Sequence, residues 1–360
     1  MKRTFVAVMA AGLLAPLGCG GTGGALDDTG VAAEALTGPT VVANMSPAGL
    51  VESTGNLYWT RNSLTGPFPF RWQGRVYRAA KTNVPGQETV LYSESGSLGS
   101  SFSNIAFAND HGIWYGYFIA NYKTSGTYIK RVPLDGSSGA VNIGPYPGIA
   151  SANSPLLSDG TYLYFYGSDA MYQMPLDGSA AYYVARVNYI TAFALDTQHV
   201  YFAQGNTQQN TGGPVYAAYK PNIYNQVYSV IATTSVPVTA MATHPGANGN
   251  DANTAVYWSA GPSIYRYKQA SGGASLFSSA SGAGLGYPTT TTSLSFDGTN
   301  VDWTWCDTNS NCWVAYKYSA DFSLGYGTLT YVGTNGARSV MGDASQIFYV
   351  DNAALERLHY

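Results

Sequence analysis

From Pro39 to the C-terminus the chain alternates short apolar runs with clusters of Gly, Asn, Asp, Ser and Thr, and one of those runs keeps returning. It opens on a branched or apolar residue, places an aromatic next to it, and usually follows a Gly, Asn or His. It reads Leu57-Tyr58-Trp59-Thr60, Ile113-Trp114-Tyr115-Gly116, Leu163-Tyr164-Phe165-Tyr166, Val200-Tyr201-Phe202-Ala203, Val256-Tyr257-Trp258-Ser259, Val301-Asp302-Trp303-Thr304 and Ile347-Phe348-Tyr349-Val350, seven copies about 48 residues apart on average. Short apolar runs between turn residues predict strands. A preceding segment alternates, as in Ile105 and Phe107 or Ala192 and Ala194, and often ends in a turn such as "SFDGTN" or "ALDTQH". Period two with an Asp or Asn stop predicts a strand feeding a hairpin. A third segment follows at Val76-Tyr77, Ile129-Lys130, Met171-Tyr172, Val215-Tyr216, Ile264-Tyr265, Trp313-Val314 and Leu355-Glu356. A fourth is legible at "TVLYSE", "AVNIG", "AYYVAR", "QVYSVIA", "ASLFSSA" and "TLTYVG", one fewer than the other three.

The same turn is written twice between third and fourth segments, Pro133-Leu134-Asp135-Gly136 and Pro175-Leu176-Asp177-Gly178. Pro followed by Asp-Gly is the chemistry of a tight reversal between adjacent strands. Four-stranded units of about 40 to 50 residues set radially are β-propeller blades. The chain ends directly after the seventh third segment, and "PTVVANMS", residues 39–46, precedes the first unit with the character of a strand. The expectation is therefore an all-β, seven-bladed β-propeller of four-stranded blades over residues 39–360, closed by an N-terminal strand that completes the last blade. Closure also leaves no long unpaired edge at the seam. A β-sandwich, the structural rival, gives no reason for seven recurrences of one ordered unit.

The first residues follow another pattern. Lys2 and Arg3 precede an almost wholly apolar run from Phe5 to Leu17, thirteen residues, where a membrane-spanning helix needs about 20. Residues 1–18 read as a secretory signal peptide. The run ends in "APLGCGG", which resembles the lipobox of bacterial lipoproteins and makes Cys19 the candidate acylated residue, although Pro16 stands where that family usually has leucine; ordinary cleavage is the alternative. Residues 19–38 hold no aromatic and no clear period and read as a tether. The expected location is extracytoplasmic, at a bacterial cell envelope as an outer-membrane lipoprotein, or secreted.

Composition agrees with export. Only 10% of residues are charged, against about 25% in typical domains, while 14% are aromatic and Tyr alone contributes 30. Aromatic and β-branched residues suit a pleated, half-buried surface. Loss of Lys2 and Arg3 with the leader takes the formal charge from −3 to −5, which leaves no basic field for nucleic acid. Cys306 and Cys312 flank a polar loop in "WTWCDTNSNCWVAY" and read as a hairpin disulfide in an oxidising compartment. A two-cysteine metal half-site, the other reading, lacks the further ligands zinc requires.

"LYWTRN" and "VYWSAG", each followed by a strand like "IYRYK", resemble the YWTD-type propeller repeats of lipoprotein receptors and related bacterial lipoprotein families, with Arg61 in place of the motif's acid. The resemblance implies the fold and the role of the aromatics as inter-blade packing. A propeller of this pattern is expected to bind its ligand at the channel mouth, on the face bearing the turns between second and third strands. There "TRNSLTGPFPFRWQG" carries Arg61, Phe68, Phe70, Arg71 and Trp72, suited to gripping a glycan or peptide or to packing on itself. The corresponding loops of later blades add Tyr117, Tyr122, Gln208, Gln209 and Asn210. Four histidines occur, at 111, 199, 244 and 359; His111 and His199 fall in the turn before a second strand, and no His-Glu spacing of the kind that propeller lyases use around a metal appears. "GNDAN" at 249–253 lacks the register of a calcium loop. No nucleophile elbow or phosphate loop is present. The sequence thus predicts a monomeric, lipid-anchored binding or scaffold protein without metal or cofactor. The alternative is a propeller lyase or hydrolase acting on a sugar or peptide.

Overall fold

The computed structural model describes residues 40–359 apart from 44–48, 54, 66–70, 83–84, 97–99, 123–124, 145–148, 152–153, 168, 244–254, 269–271, 280–287, 308, 310, 320–327, 335–338, 343–344 and 351–353. The leader, Cys19, the tether, Phe68, Phe70, His244 and the "GNDAN" segment all lie outside the described residues.

Strand β1 is Thr40–Ala43. Blade 1 holds β2 to β5, at Gly49–Ser53, Asn56–Thr65, Arg71–Ala80 and Thr89–Gly96. Blade 2 holds β6 to β9, at Ser100–Asp110, Ile113–Tyr122, Gly126–Pro133 and Val141–Ile143. In blade 3, β10 to β13 are Leu157–Ser158, Tyr162–Tyr166, Met171–Pro175 and Tyr182–Ala185. In blade 4, β14 to β17 are Ile190–Leu195, His199–Gln204, Pro214–Tyr219 and Tyr228–Thr233. Blade 5 comprises β18 to β21, at Val238–Thr243, Ala255–Ala260, Ser263–Lys268 and Gly273–Ser279. Blade 6 comprises β22 to β25, at Pro288–Phe296, Asn300–Asp307, Asn311–Tyr318 and Thr328–Thr334. Blade 7 adds β26 to β28, at Ser339–Gly342, Gln346–Val350 and Leu355–His359. Six sheets are consecutive four-stranded meanders, and the seventh has the order β1-β28-β27-β26.

The seam is as expected. β1 runs antiparallel to β28 with Thr40 opposite Arg357, Val41 opposite Glu356 and Ala43 opposite Leu355. The first strands of successive blades neighbour one another from β2 through β6, β10, β14, β18 and β22 to β26, and β26 returns to β2. The ring is therefore a closed seven-bladed propeller.

The recurrent aromatic pair follows from strand geometry, because successive side chains on a strand point to opposite faces. Tyr58 packs with Val76, Ile105 and Phe118 between blades 1 and 2, whereas Trp59 packs with Leu57, Phe348 and Leu355 between blades 7 and 1. Tyr164 and Phe165, Tyr201 and Phe202, Tyr257 and Trp258 divide in the same way between the following and the preceding interface. One dipeptide thus fills two interfaces, and seven apolar clusters fill the seven junctions. Burial of each large ring contributes about 1.5 to 3 kcal/mol. In blade 6 the first aromatic is replaced by Asp302, which is wholly buried, while Val301, Trp303 and Trp305 share the face toward blade 5.

Blade 2 departs from the sequence reading. Its aromatic pair is Tyr117-Phe118, not Trp114-Tyr115: Tyr117 enters the cluster with blade 3 and Phe118 the cluster with blade 1. β7 is ten residues long, and its N-terminal end extends past the packed ring. Both windows, "IWYG" and "YFIA", fit a short apolar-aromatic strand, so pattern alone does not choose between them.

The duplicated turns occupy equivalent places. Gly136 N–H donates to the Pro133 carbonyl at 3.2 Å and Gly178 N–H to the Pro175 carbonyl at 2.9 Å. Asp135 and Asp177 accept from the N–H groups of Ser137 and Ser179 at 2.8 and 2.9 Å. Each Gly sits at positive φ, 77° and 76°, where a Cβ is disfavoured. Each Leu is buried, Leu134 between blades 1 and 2 and Leu176 between blades 2 and 3.

Cys306 and Cys312 face each other across β23 and β24 and are joined by a disulfide, with a Cα–Cα distance of 4.1 Å.

Candidate functional site

The expected binding loop of blade 1 is largely strand. β3 and β4 pair from Asn56 opposite Ala80 out to Leu64 opposite Trp72 and Thr65 opposite Arg71, which leaves only residues 66–70 as the connection. Arg61 lies within β3 opposite Arg75 and is half-buried. Arg71 and Trp72 open β4, and their side chains lie outside the described residues. Tyr117, expected on the following loop, lies instead inside β7 with its ring fully buried, and desolvation pushes its hydroxyl up to about 12.

Tyr122 sits at the end of β7 in a polar knot between blades 1 and 2. Its hydroxyl donates to Glu94 Oε2 at 2.7 Å, the Tyr92 hydroxyl donates to the same oxygen at 2.7 Å, and Lys130 Nζ lies 3.1 Å from it. Burial by itself would raise the Glu94 carboxyl, but the two phenols and the Lys130 ammonium outweigh it and hold it below the usual carboxylate range. Every group in the knot is satisfied by another, so it fastens two blades. Gln208 and Gln209 are exposed on a turn in which their N–H groups donate to Asn206 Oδ1, both at 3.0 Å, and Asn210 follows at φ 51°.

An antiparallel meander places the first-to-second and third-to-fourth turns on one face of the ring and the second-to-third turns on the other. Three clefts among the described residues open on the first of these faces, opposite the expected one. Between blades 1 and 2, Tyr58 and Arg78 meet Ile113, Trp114, Leu134 and Asp135 around a cavity of about 400 Å³. Between blades 3 and 4, Asp159, Tyr162 and Tyr164 meet Thr197, Tyr219 and Lys220 around about 350 Å³. The third cleft, about 420 Å³, is walled by His199, Tyr201, Tyr219, Tyr228 and Ser229 of blade 4 and closed by Tyr267 of blade 5.

Local turn chemistry shapes each wall. In blade 2, Asp110 pairs with Ile113 across a two-residue reversal in which His111 and Gly112 both have positive φ, 52° and 86°. That is the hairpin geometry whose twist matches the strands, and it lifts Trp114 to the cleft mouth, 46% exposed. Arg78 Nη1 donates to the Leu134 carbonyl at 3.1 Å across the same cleft. In blade 3, Asp159 Oδ1 accepts from the N–H groups of Thr161 and Tyr162 at 3.0 and 2.9 Å, and its other oxygen accepts from the Tyr164 hydroxyl and from Lys220 Nζ, both at 2.8 Å. Burial would raise this carboxyl, but Lys220 and the two N–H groups hold it below its usual range.

Blade 4 repeats the device without a cation from the next blade. Asp196 Oδ1 accepts from the N–H groups of Gln198 and His199 at 2.7 and 2.6 Å, and Oδ2 accepts from the Tyr201 hydroxyl at 2.9 Å. His199 Nδ1 lies 3.5 Å from Asp196. The imidazole is buried, 5.6 Å from the Tyr201 ring and 5.4 Å from the Tyr219 ring. Burial would raise the Asp196 carboxyl, and His199 with the two N–H groups lowers it. His111 is a turn residue, as its sequence position implies, whereas His199 begins β15 inside the protein. The sequence signal for this arrangement is an Asp five residues before the first aromatic, present at Asp159 and Asp196; Asp297 holds the same place in blade 6, where Asp302 replaces the aromatic. The cation that meets Asp159 comes from another blade and leaves no local signal.

No His, Cys, Asp or Glu cluster among the described residues could hold a metal ion. No helix among them is long and apolar enough to cross a membrane.

Ring closure, blade order and these clefts define a seven-bladed β-propeller. No protein-family model and no curated protein sequence matches the chain. Among solved structures, it resembles a chain of the crystal structure of a mitotic checkpoint complex, with a TM-score of 0.59 and 11% identity over 99% of each chain. It also matches the computationally designed Ika8 protein, with a TM-score of 0.48 and 12% identity over 89% of this chain and 99% of that one. At such identity the first likeness shows the fold alone.

Proposed function

We propose that the chain is a binding or scaffold protein of the cell envelope, exported and held to a membrane by lipid on Cys19, that presents its inter-blade clefts to a glycan or a peptide. The observation that carries the reading is the set of three clefts on one face, with Trp114 and Tyr219 exposed at their mouths on a ring that buries Trp59, Trp258, Trp303 and Trp305. Exposed aromatics beside an Arg such as Arg78 are favoured recognition groups, and walls built from paired strands hold them in place before a ligand arrives. The paired aromatics support kinship with YWTD-like propellers. The apolar leader and "LGCGG" support the anchor.

The test is retention of the full chain on glycan and peptide arrays. A Trp114→Ala, Tyr219→Ala double variant is expected to lose retention of whatever the wild type holds. Loss only in the Phe70→Ala, Arg71→Ala, Trp72→Ala variant would move the site to the blade 1 hairpin on the opposite face. No retention of any ligand would sink the reading. The Asp196–His199 pair at a cavity wall is the one observation that favours an enzyme. Turnover of an arrayed ligand, lost in His199→Gln, would replace binding by catalysis.

A further inference from the structure

We propose that the cavity between blades 4 and 5 is a subsite for a neutral sugar ring, an assignment that rests on the binding reading above. Charge separates the three clefts. The first is lined by Arg78 and Asp135 and the second by Asp159 and Lys220, but no Asp, Glu, Lys or Arg is among the described residues that line the third. Asp196 lies behind its wall, fully buried and occupied by two N–H groups and the Tyr201 hydroxyl. Apart from the His199 imidazole, which faces Asp196 at 3.5 Å, an ionic ligand would find no counter-charge there, whereas a polyhydroxylated neutral one loses nothing by that absence.

The lining supplies what a sugar needs. The apolar C–H face of a pyranose packs on an aromatic face, and its hydroxyls require neutral donors and acceptors. Tyr219 is 41% exposed, with one side of its ring against His199. Tyr228 is held edge-on by Phe202 at 5.7 Å and Tyr216 at 5.2 Å, so its orientation is fixed by packing. Gln198 and Ser229 bring an amide and a hydroxyl to the same wall. Each tyrosine combines an apolar body with a polar tip. The volume of about 420 Å³ is at the small end of ligand pockets, which suits one or two sugar rings and not a folded partner.

The experiment is calorimetric titration and saturation-transfer NMR of the full chain with four probes: methyl glycosides of a neutral hexose and of an N-acetylhexosamine, a hexuronate, and an uncharged tetrapeptide. At least one neutral glycoside is expected to bind, with the hexuronate about tenfold weaker. Tyr219→Ala is expected to weaken binding about tenfold, the factor that an aromatic contact of about 1.4 kcal/mol provides. Tyr219→Phe, which keeps the stacking face, should stay within about threefold, and Tyr318→Ala, an exposed tyrosine of blade 6, should match wild type. Unfolding midpoints of the variants equal to wild type exclude misfolding as the cause. Equal affinity for the hexuronate, or glycoside binding unchanged by Tyr219→Ala, overturns the assignment. Tetrapeptide binding lost in Tyr219→Ala, without glycoside binding, overturns the sugar and leaves the binding protein standing. No binding of any probe here or on the arrays removes both.

Discussion

Gly136 and Gly178 end the same four-residue turn at nearly the same φ, 77° and 76°, yet alanine should cost different amounts at the two positions. The left-handed backbone penalty is common to both, about 1 to 2 kcal/mol for a residue with a Cβ. Surroundings differ. A Cβ on Gly136 would meet only the tip of Leu91, at 3.9 Å, which is ordinary contact. A Cβ on Gly178 would lie 2.3 Å from the backbone nitrogen of Gly144 and 3.0 Å from its Cα, at the end of the outer strand of blade 2. Backbone cannot swing aside as a side chain can, so blade 3 must shift against blade 2, and overpacking of this kind costs about 1 to 3 kcal/mol more. Equilibrium urea unfolding of the Gly136→Ala and Gly178→Ala variants measures the difference, provided the m-values agree. Equal losses would refute the close approach of the two blades at this point.

Deletion of residues 39–46 removes β1 and the ladder it forms at three paired positions of β28. At about 1 kcal/mol for each ladder hydrogen bond the loss is roughly 3 kcal/mol, and Tm should fall by about 5 °C or more in a calorimetric scan; an unchanged Tm would contradict closure through β1. Acid should weaken the ring through Asp159 and Asp196, whose folded pKa values lie below the ordinary value. Their contribution is complete above the unfolded carboxylate pKa of about 4 and is lost as pH falls through the lower folded values. Unfolding free energy should therefore drop below about pH 4, and drop less in Asp159→Asn, in a series of urea titrations.

Much of the fold was legible along the chain because its signals are local. Period two in "LYWT" or "VYFA" sends neighbouring aromatics to opposite faces, so the repeat and the burial of its rings follow from strand geometry. Pro133-Leu134-Asp135-Gly136 specifies its reversal through one side-chain oxygen and one Gly. The surplus strand at Thr40 and the deficit after Leu355 together required a seam. Blade 2 departs from its pattern because β7 holds two apolar-aromatic windows, and only contact with Ile105 of its own blade and Leu163 of the next selects Tyr117-Phe118 as the packed pair.

Periodicity and turn chemistry act between residues a few positions apart, and they were sufficient for strand number, unit order and the cross-strand disulfide. The clefts depend on how near one blade stands to the next. Lys220 reaches Asp159 across 61 positions, Arg78 reaches the Leu134 carbonyl across 56, and Tyr267 closes a cavity whose other described walls belong to blade 4. Those distances are set by the radius and stacking angle of the whole ring, a quantity to which every interface contributes and which no single segment of the chain encodes.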